Sequence, residues 1–209
     1  TGKKSAVGSL GMIVTNNPLG SAAGAQMFAA GGNAIDAAVA SLFALTVVEP
    51  MMVGIFGAGM STLRLSGGDF AFINNYTVAP AAASPDMYET VSDSWPDYQT
   101  VADRANDVGP LAVGVPGTLK GWCQALASYG TLSLQDVMQP AIGYAERGYR
   151  ATRYLSGIIR MAAADIARYP ETAKIYMPGG EPLQSGEVVL QPEYADTLKL
   201  VAKDGPDVL

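Results

Sequence analysis

Residues 34–48 constrain the fold of this chain more than any other stretch. They read Ala-Ile-Asp-Ala-Ala-Val-Ala-Ser-Leu-Phe-Ala-Leu-Thr-Val-Val and carry one charge, Asp36. The apolar positions follow no single stripe, so a helix built from them has no face suited to water and must be buried all round. Asn33 is a good N-cap, and Asp36, three residues on, sits near the positive end of the helix. Pro50 stops it. Only residues 37–48 separate Asp36 from Glu49, a run short of the ~18 or more apolar residues that a membrane span requires. Small residues (Ala34, Ala37, Ala38, Ala40, Ser41, Ala44) permit close approach of neighbouring elements.

The elements around this helix are mixed. Residues 11–16 read as a short strand. Pro18 suits the first turn of a helix running to about Ala30, which Gly31-Gly32 ends. Residues 60–65 and 69–74 read as two strands joined by Ser66-Gly67-Gly68. Residues 84–109 are polar, with six acids, and predict a surface excursion. Residues 111–115 read as a strand ended by Pro116-Gly117. Helices follow over 118–129, from Ser133 to Gly148 with Asp136 completing its cap, over 152–169 and over 192–203. Residues 170–187 read as a loop. The pattern predicts layered α/β, with residues 1–209 forming one partial domain.

Composition excludes several functions. Thirteen basic and nineteen acidic residues give a net charge of −6, which does not suit nucleic acid or an anionic membrane as partner. There is no histidine, so no His-based triad and no His metal site lies in this chain. Neither metal nor cofactor is implied. A lone cysteine, Cys123, rules out an internal disulfide and reads as a small core residue. No signal-peptide apolar region is visible, and the compartment stays open.

Gly54-Ile55-Phe56-Gly57-Ala58-Gly59 invites a phosphate-binding reading. A dinucleotide turn follows a strand and opens a helix, whereas here a helix precedes and a strand follows. The spacing also differs from Gly-x-Gly-x-x-Gly, and there is no accompanying lysine. Close passage of backbone is the better reading of these glycines.

Gly31-Gly32-Asn33-Ala34-Ile35-Asp36-Ala37-Ala38-Val39-Ala40 resembles a signature of the γ-glutamyltransferases. Val48-Glu49-Pro50 with the glycine turn, Ala79-Pro80-Ala81-Ala82-Ala83-Ser84-Pro85-Asp86-Met87, Ala112-Val113-Gly114-Val115-Pro116-Gly117-Thr118, Ala145-Glu146-Arg147-Gly148-Tyr149 and Leu190-Gln191-Pro192 are similar to further family segments, in order. The resemblance runs from Gly11 to the end. It implies an N-terminal-nucleophile hydrolase with a four-layer αββα sandwich, completed by a second chain or a further segment. Such precursors cut themselves before a threonine, whose hydroxyl becomes the nucleophile and whose α-amino group serves as base. The resemblance implies that this threonine begins a small subunit from the same precursor and that the substrate is a small-molecule amide. Thr1 is not that threonine: Gly2-Lys3-Lys4 follows it, and it precedes the motifs that open the large subunit. No catalytic residue is therefore expected in this chain. Leu209 falls in mid-motif, and the family's large subunit continues beyond it.

One departure bears on specificity. The family binds the α-carboxylate of a glutamyl group with an arginine in an Arg-Glu-x-Ala-Pro segment. Here the segment reads Tyr76-Thr77-Val78-Ala79-Pro80, and a phenol cannot pair bidentately with a carboxylate. Losing such a pair costs on the order of 2–5 kcal/mol when the partner is left buried. The expected substrate contacts are Tyr76, Asn75 and Phe56, with Asn74 and Thr77 as neutral neighbours. An acyl group other than γ-glutamyl follows, since relatives act on oxamate or on β-lactam side chains. A genuine γ-glutamyl hydrolase and a catalytically silent homologue are the alternatives. For Phe56, Met51 and Met52, core packing is the preferred reading over lining the acyl pocket.

Overall fold

In the computed structural model, which describes residues 5–9, 11–96, 98 and 100–209, the apolar run forms helix α2 (Ala34–Val48). Its start is capped reciprocally. Asn33 Oδ1 accepts from the Ile35 and Asp36 N–H groups at 2.7 and 3.2 Å, and Asp36 Oδ2 accepts from the Asn33 N–H at 2.6 Å. Its end is satisfied from far along the chain. The Val47 carbonyl accepts from Tyr149 Oη at 2.9 Å and Gln191 Nε2 at 3.0 Å, two of the side chains that replace the missing next turn. Every residue of α2 from Val39 on is buried except Leu42, as its composition requires.

Asp36 is fully buried, and its recorded partners are hydrogen-bond donors. Beyond capping α2, its carboxylate accepts from the Thr131 N–H (2.9 Å), Thr131 Oγ1 (2.7 Å) and the Leu132 N–H (3.0 Å). Burial alone raises its pKa. The hydrogen bonds from the Thr131 hydroxyl and from the backbone of Leu132, Asn33 and Thr131 outweigh that and hold it below the ordinary value of 3.8. One carboxylate thus ties the start of α2 to the turn at residues 131 and 132, between the next two long helices. Gly32 and Gly130 lie so close that a Cβ on either would come within 3.0 and 2.7 Å of its oxygens.

The chain divides into two compact units. The first comprises residues up to Ile55 together with Leu119–Leu209. It holds α1 (Pro18–Ala29), α2, all but the first residue of α3 (Thr118–Tyr129), α4 (Leu134–Arg147), α5 (Arg153–Met161), α6 (Ala163–Ile166), α7 (Pro170–Tyr176) and α8 (Pro192–Asp204). Its core is continuous: Phe43 meets Trp122 edge-on with ring centroids 5.4 Å apart, and Val137, Met138, Leu155, Leu198 and Val201 are buried with them. Gly148, at φ 79°, ends α4 and turns the chain into Tyr149–Arg150, which pairs antiparallel with Val188–Val189. Glu49, buried just past α2, accepts from Asn17 Nδ2 at 2.8 Å. Asn17 also caps α1, so one side-chain pair joins two helix ends. No described helix is long and apolar enough to cross a membrane.

The second unit, Phe56–Thr118, has a different character. Strands β1 (Met60–Arg64) and β2 (Phe70–Asn74) form an antiparallel hairpin in the register Met60↔Asn74 to Arg64↔Phe70. Met60, Phe70 and Phe72 share one face and are exposed. Among the described residues of this unit, Val101 is the one hydrophobic side chain fully buried.

Several sequence expectations need correction. Residues 11–16 are not a strand: among the described residues they have no ladder partner, and a strand exists only where backbone groups find one. Residues 111–115 are not a strand: Pro110–Ala112 make a turn of 3₁₀ helix, and only Val115 forms a bridge. The helix expected over 152–169 breaks at Ala162 into α5 and α6. The loop at 170–187 contains α7, begun by Pro170 at its first position. Phe56 and Met52 are 61% and 63% exposed, so core packing does not describe them, whereas Met51 and Cys123 do pack partly against the core. Thr1 lies outside the described residues.

Candidate functional site

The position that departs from the family pattern lies in the second unit, just past β2. Tyr76 follows the hairpin, and its side chain is 60% exposed. Its N–H donates to Asn74 Oδ1 at 3.1 Å, the Asx-type turn that asparagine favours when its side chain stands in for backbone.

On either side of Tyr76 the chain is pinned. Asn75 is buried. Its N–H donates to the Gly59 carbonyl at 3.1 Å, and its Nδ2 donates to Thr118 Oγ1 at 3.1 Å. Its Oδ1 has no partner among the described residues. Two residues beyond Tyr76, the Val78 N–H donates to the Val115 carbonyl (3.2 Å) and the Val115 N–H to the Val78 carbonyl (2.9 Å).

Residues 75–78 therefore lie along residues 114–118 as on a rail, and glycine permits the approach. A Cβ on Gly117 would sit 2.9 Å from the Asn75 carbonyl oxygen, and one on Gly114 would sit 2.1 Å from Thr77 Cγ2. Gly59 is also tight, with its Cβ position 3.3 Å from Asn75 Nδ2. These distances give physical content to Gly59 in the glycine turn and to the Val-Gly-Val-Pro-Gly-Thr segment: their glycines admit a neighbouring backbone.

The electrostatics of this unit are acidic. Residues 56–118 contain two arginines against seven acids. Arg104 is engaged with Asp107, its Nη2 2.5 Å from Oδ2. Arg64 stands four residues along β1 from Met60, the residue paired with Asn74. At ~3.3 Å per residue this places it about 13 Å away along the strand. Arg64 therefore does not take the place of a cation at position 76. Among the described residues, no group of three or more Cys, Asp or Glu side chains is placed to hold a metal ion.

Of the three expected contact residues, Tyr76 and Phe56 are exposed and Asn75 is buried. Within this unit the Asn75 side chain is held through its Nδ2 by Thr118, directly before Tyr76. Sequence reading missed Thr118, Gly114 and Gly117 as its counterparts. The signal was present in two glycines three residues apart, followed by a hydroxyl, of which only Gly114 fell in the segment read as a strand.

The comparisons agree with the motifs. The family profile described as gamma-glutamyltranspeptidase matches residues 20–209. The Acylase ACY 1 proenzyme of Pseudomonas sp. (strain V22) is 58% identical over 207 residues, spanning 99% of this chain and 37% of the relative. The Glutathione hydrolase proenzyme of Bacillus subtilis (strain 168) is 39% identical over 202 residues, spanning 96% of this chain and 33% of the relative. The crystal structure of Helicobacter pylori gamma-glutamyltranspeptidase superposes with a TM-score of 0.87 at 32% identity, covering 97% of this chain and 56% of that one. The chain thus spans about a third of the length of the curated relatives it matches, and it has the layered α/β fold of N-terminal-nucleophile hydrolases. It belongs to the γ-glutamyltranspeptidase family.

Proposed function

We propose that this chain is the N-terminal part of the large subunit of a self-cleaving amide hydrolase or acyltransferase whose preferred acyl group is not γ-glutamyl. The partner in this reading is the small subunit from the same precursor, which begins with the nucleophilic threonine. Its hydroxyl oxygen attacks the amide carbonyl carbon, while its α-amino group takes the hydroxyl proton and passes it to the departing amine. Water or an acceptor amine then removes the acyl group from the threonine.

The observation that carries the specificity is Tyr76, a phenol exposed at the family's arginine position, with Arg64 at the far end of β1. A glutamyl α-carboxylate would be desolvated there without a bidentate partner. The greater identity to an acylase proenzyme than to a glutathione hydrolase proenzyme supports the same reading. Phe56, exposed and apolar, suits a second contact to the acyl group. Assay of the processed enzyme on γ-glutamyl anilide and a panel of simple acyl anilides tests this. Tyr76→Arg is expected to raise kcat/KM on the γ-glutamyl compound at least tenfold, and no gain in a folded variant would remove Tyr76 from the acyl site.

A second reading, a genuine γ-glutamyl hydrolase, rests on the 39% identity to the Bacillus subtilis protein. It requires the small subunit to hold the α-carboxylate. Robust turnover of γ-glutamyl anilide alone would favour it.

A further inference from the structure

We propose that Asn75 and Thr118 form a positioning pair that sets acyl specificity by fixing Tyr76, although neither touches the substrate. This rests on the assignment of Tyr76 to the acyl site.

Tyr76 is exposed, so its own side chain has little around it within this unit to fix its direction. What fixes it is the backbone on which it stands. Asn75 is 4% and Thr118 2% exposed, and the 3.1 Å bond from Asn75 Nδ2 to Thr118 Oγ1 joins residues 43 apart in sequence. The bond secures the residue before Tyr76 at the side chain, and the Asn75 N–H to the Gly59 carbonyl secures it at the backbone. The paired bonds between Val78 and Val115 close the far side. Gly117 sets the height of the rail, because its Cβ position is 2.9 Å from a backbone oxygen that cannot swing away. Tyr76 is thus the free residue of a short segment held at both ends. A displacement near 1 Å at a substrate-positioning residue is enough to change turnover about a hundredfold.

The pair therefore acts on discrimination between acyl groups rather than on the chemistry of the threonine. Loss of folded enzyme lowers the rate on every substrate equally, so the ratio of kcat/KM values for two acyl groups separates positioning from stability. The experiment uses the processed enzyme and two anilides, γ-glutamyl and the simple acyl anilide that the wild type turns over best. Thr118→Val and Asn75→Ala should each change the ratio about tenfold, whereas Thr118→Ser, which keeps the hydroxyl, should stay within about twofold. Tyr76→Ala should change the ratio by itself, and adding Asn75→Ala to it should change it no further. If Tyr76→Ala shifts the ratio and the Asn75 and Thr118 variants do not, or if the double variant is fully additive, the positioning role fails while the acyl-site assignment stands. If Tyr76→Ala leaves the ratio unchanged, the acyl-site assignment itself fails and takes this proposal with it.

Discussion

The two units of this chain are built on opposite principles. In the helical unit, apolar side chains meet one another: α2 is enclosed, Phe43 packs on Trp122, and Asp36 has its hydrogen-bond capacity filled from within. In residues 56–118 the large apolar side chains face outward. Met60, Phe70, Phe72, Tyr76, Val78 and Val113 are all at least 60% exposed, and order comes from backbone bonds, glycine clearances and one buried side-chain pair. A two-stranded hairpin is marginal alone in water, and an exposed apolar face of this kind marks a surface written for something else. The helical unit therefore holds itself together by packing, and the smaller unit leaves its apolar face exposed, where the proposed function would set the rest of the enzyme.

The sharpest way to break this contrast is at Asp36. Asp36→Ala leaves the Asn33, Thr131 and Leu132 N–H donors and the Thr131 hydroxyl without their acceptor at the edge of a buried cavity. It should cost on the order of 3–5 kcal/mol in chemical unfolding. A loss below about 1 kcal/mol would mean that the helical unit does not depend on its buried network. The pH dependence has a definite sign. A carboxyl held below 3.8 in the fold contributes stability that is fully present above its ordinary value and is lost as pH falls through the folded value. Acid titration of Asp36→Asn should lack that part of the decline.

Next in size is a matched pair of truncations. Leu155→Ala, in the packed core at 1% exposure, should cost about 2–5 kcal/mol. Phe72→Ala, at 60% exposure, should change the unfolding of this chain alone by less than about 0.5 kcal/mol. The same Phe72 substitution in the complete processed protein should cost more. Equal small effects in both settings would mean that the hairpin face stays uncovered.

The smallest expected effect concerns Cys123. Burial and the neighbouring Asp207 carboxylate push its thiol up to about 11. At pH 8 its alkylation should be on the order of a hundredfold slower than that of a free thiol of pKa ~8.5. Labelling as fast as a free thiol would show that α3 opens readily.

The same contrast explains what was legible in the sequence. The bounds of α2, its cap at Asn33–Asp36, the β1–β2 hairpin and α8 could be read because propensity, capping and apolar pattern agreed locally. The segment at 111–115 misled because its apolar run satisfies strand composition, yet its ladder is a single bridge to Val78. Helix α7 was hidden by the Pro and Gly around it, although Pro170 at a first helical position is itself a start signal. At the site, the substitution at Tyr76 was visible from the motif. The burial of Asn75 was not, because its Thr118 partner lies 43 residues away and only the fold brings the two together.

The most direct test of the account is the ratio of kcat/KM for γ-glutamyl anilide to that for the best simple acyl anilide, measured on the wild-type processed enzyme. The account predicts a ratio well below one, rising at least tenfold in Tyr76→Arg. A ratio far above one that Tyr76→Arg leaves unchanged would contradict it, and would assign carboxylate recognition to residues outside this chain.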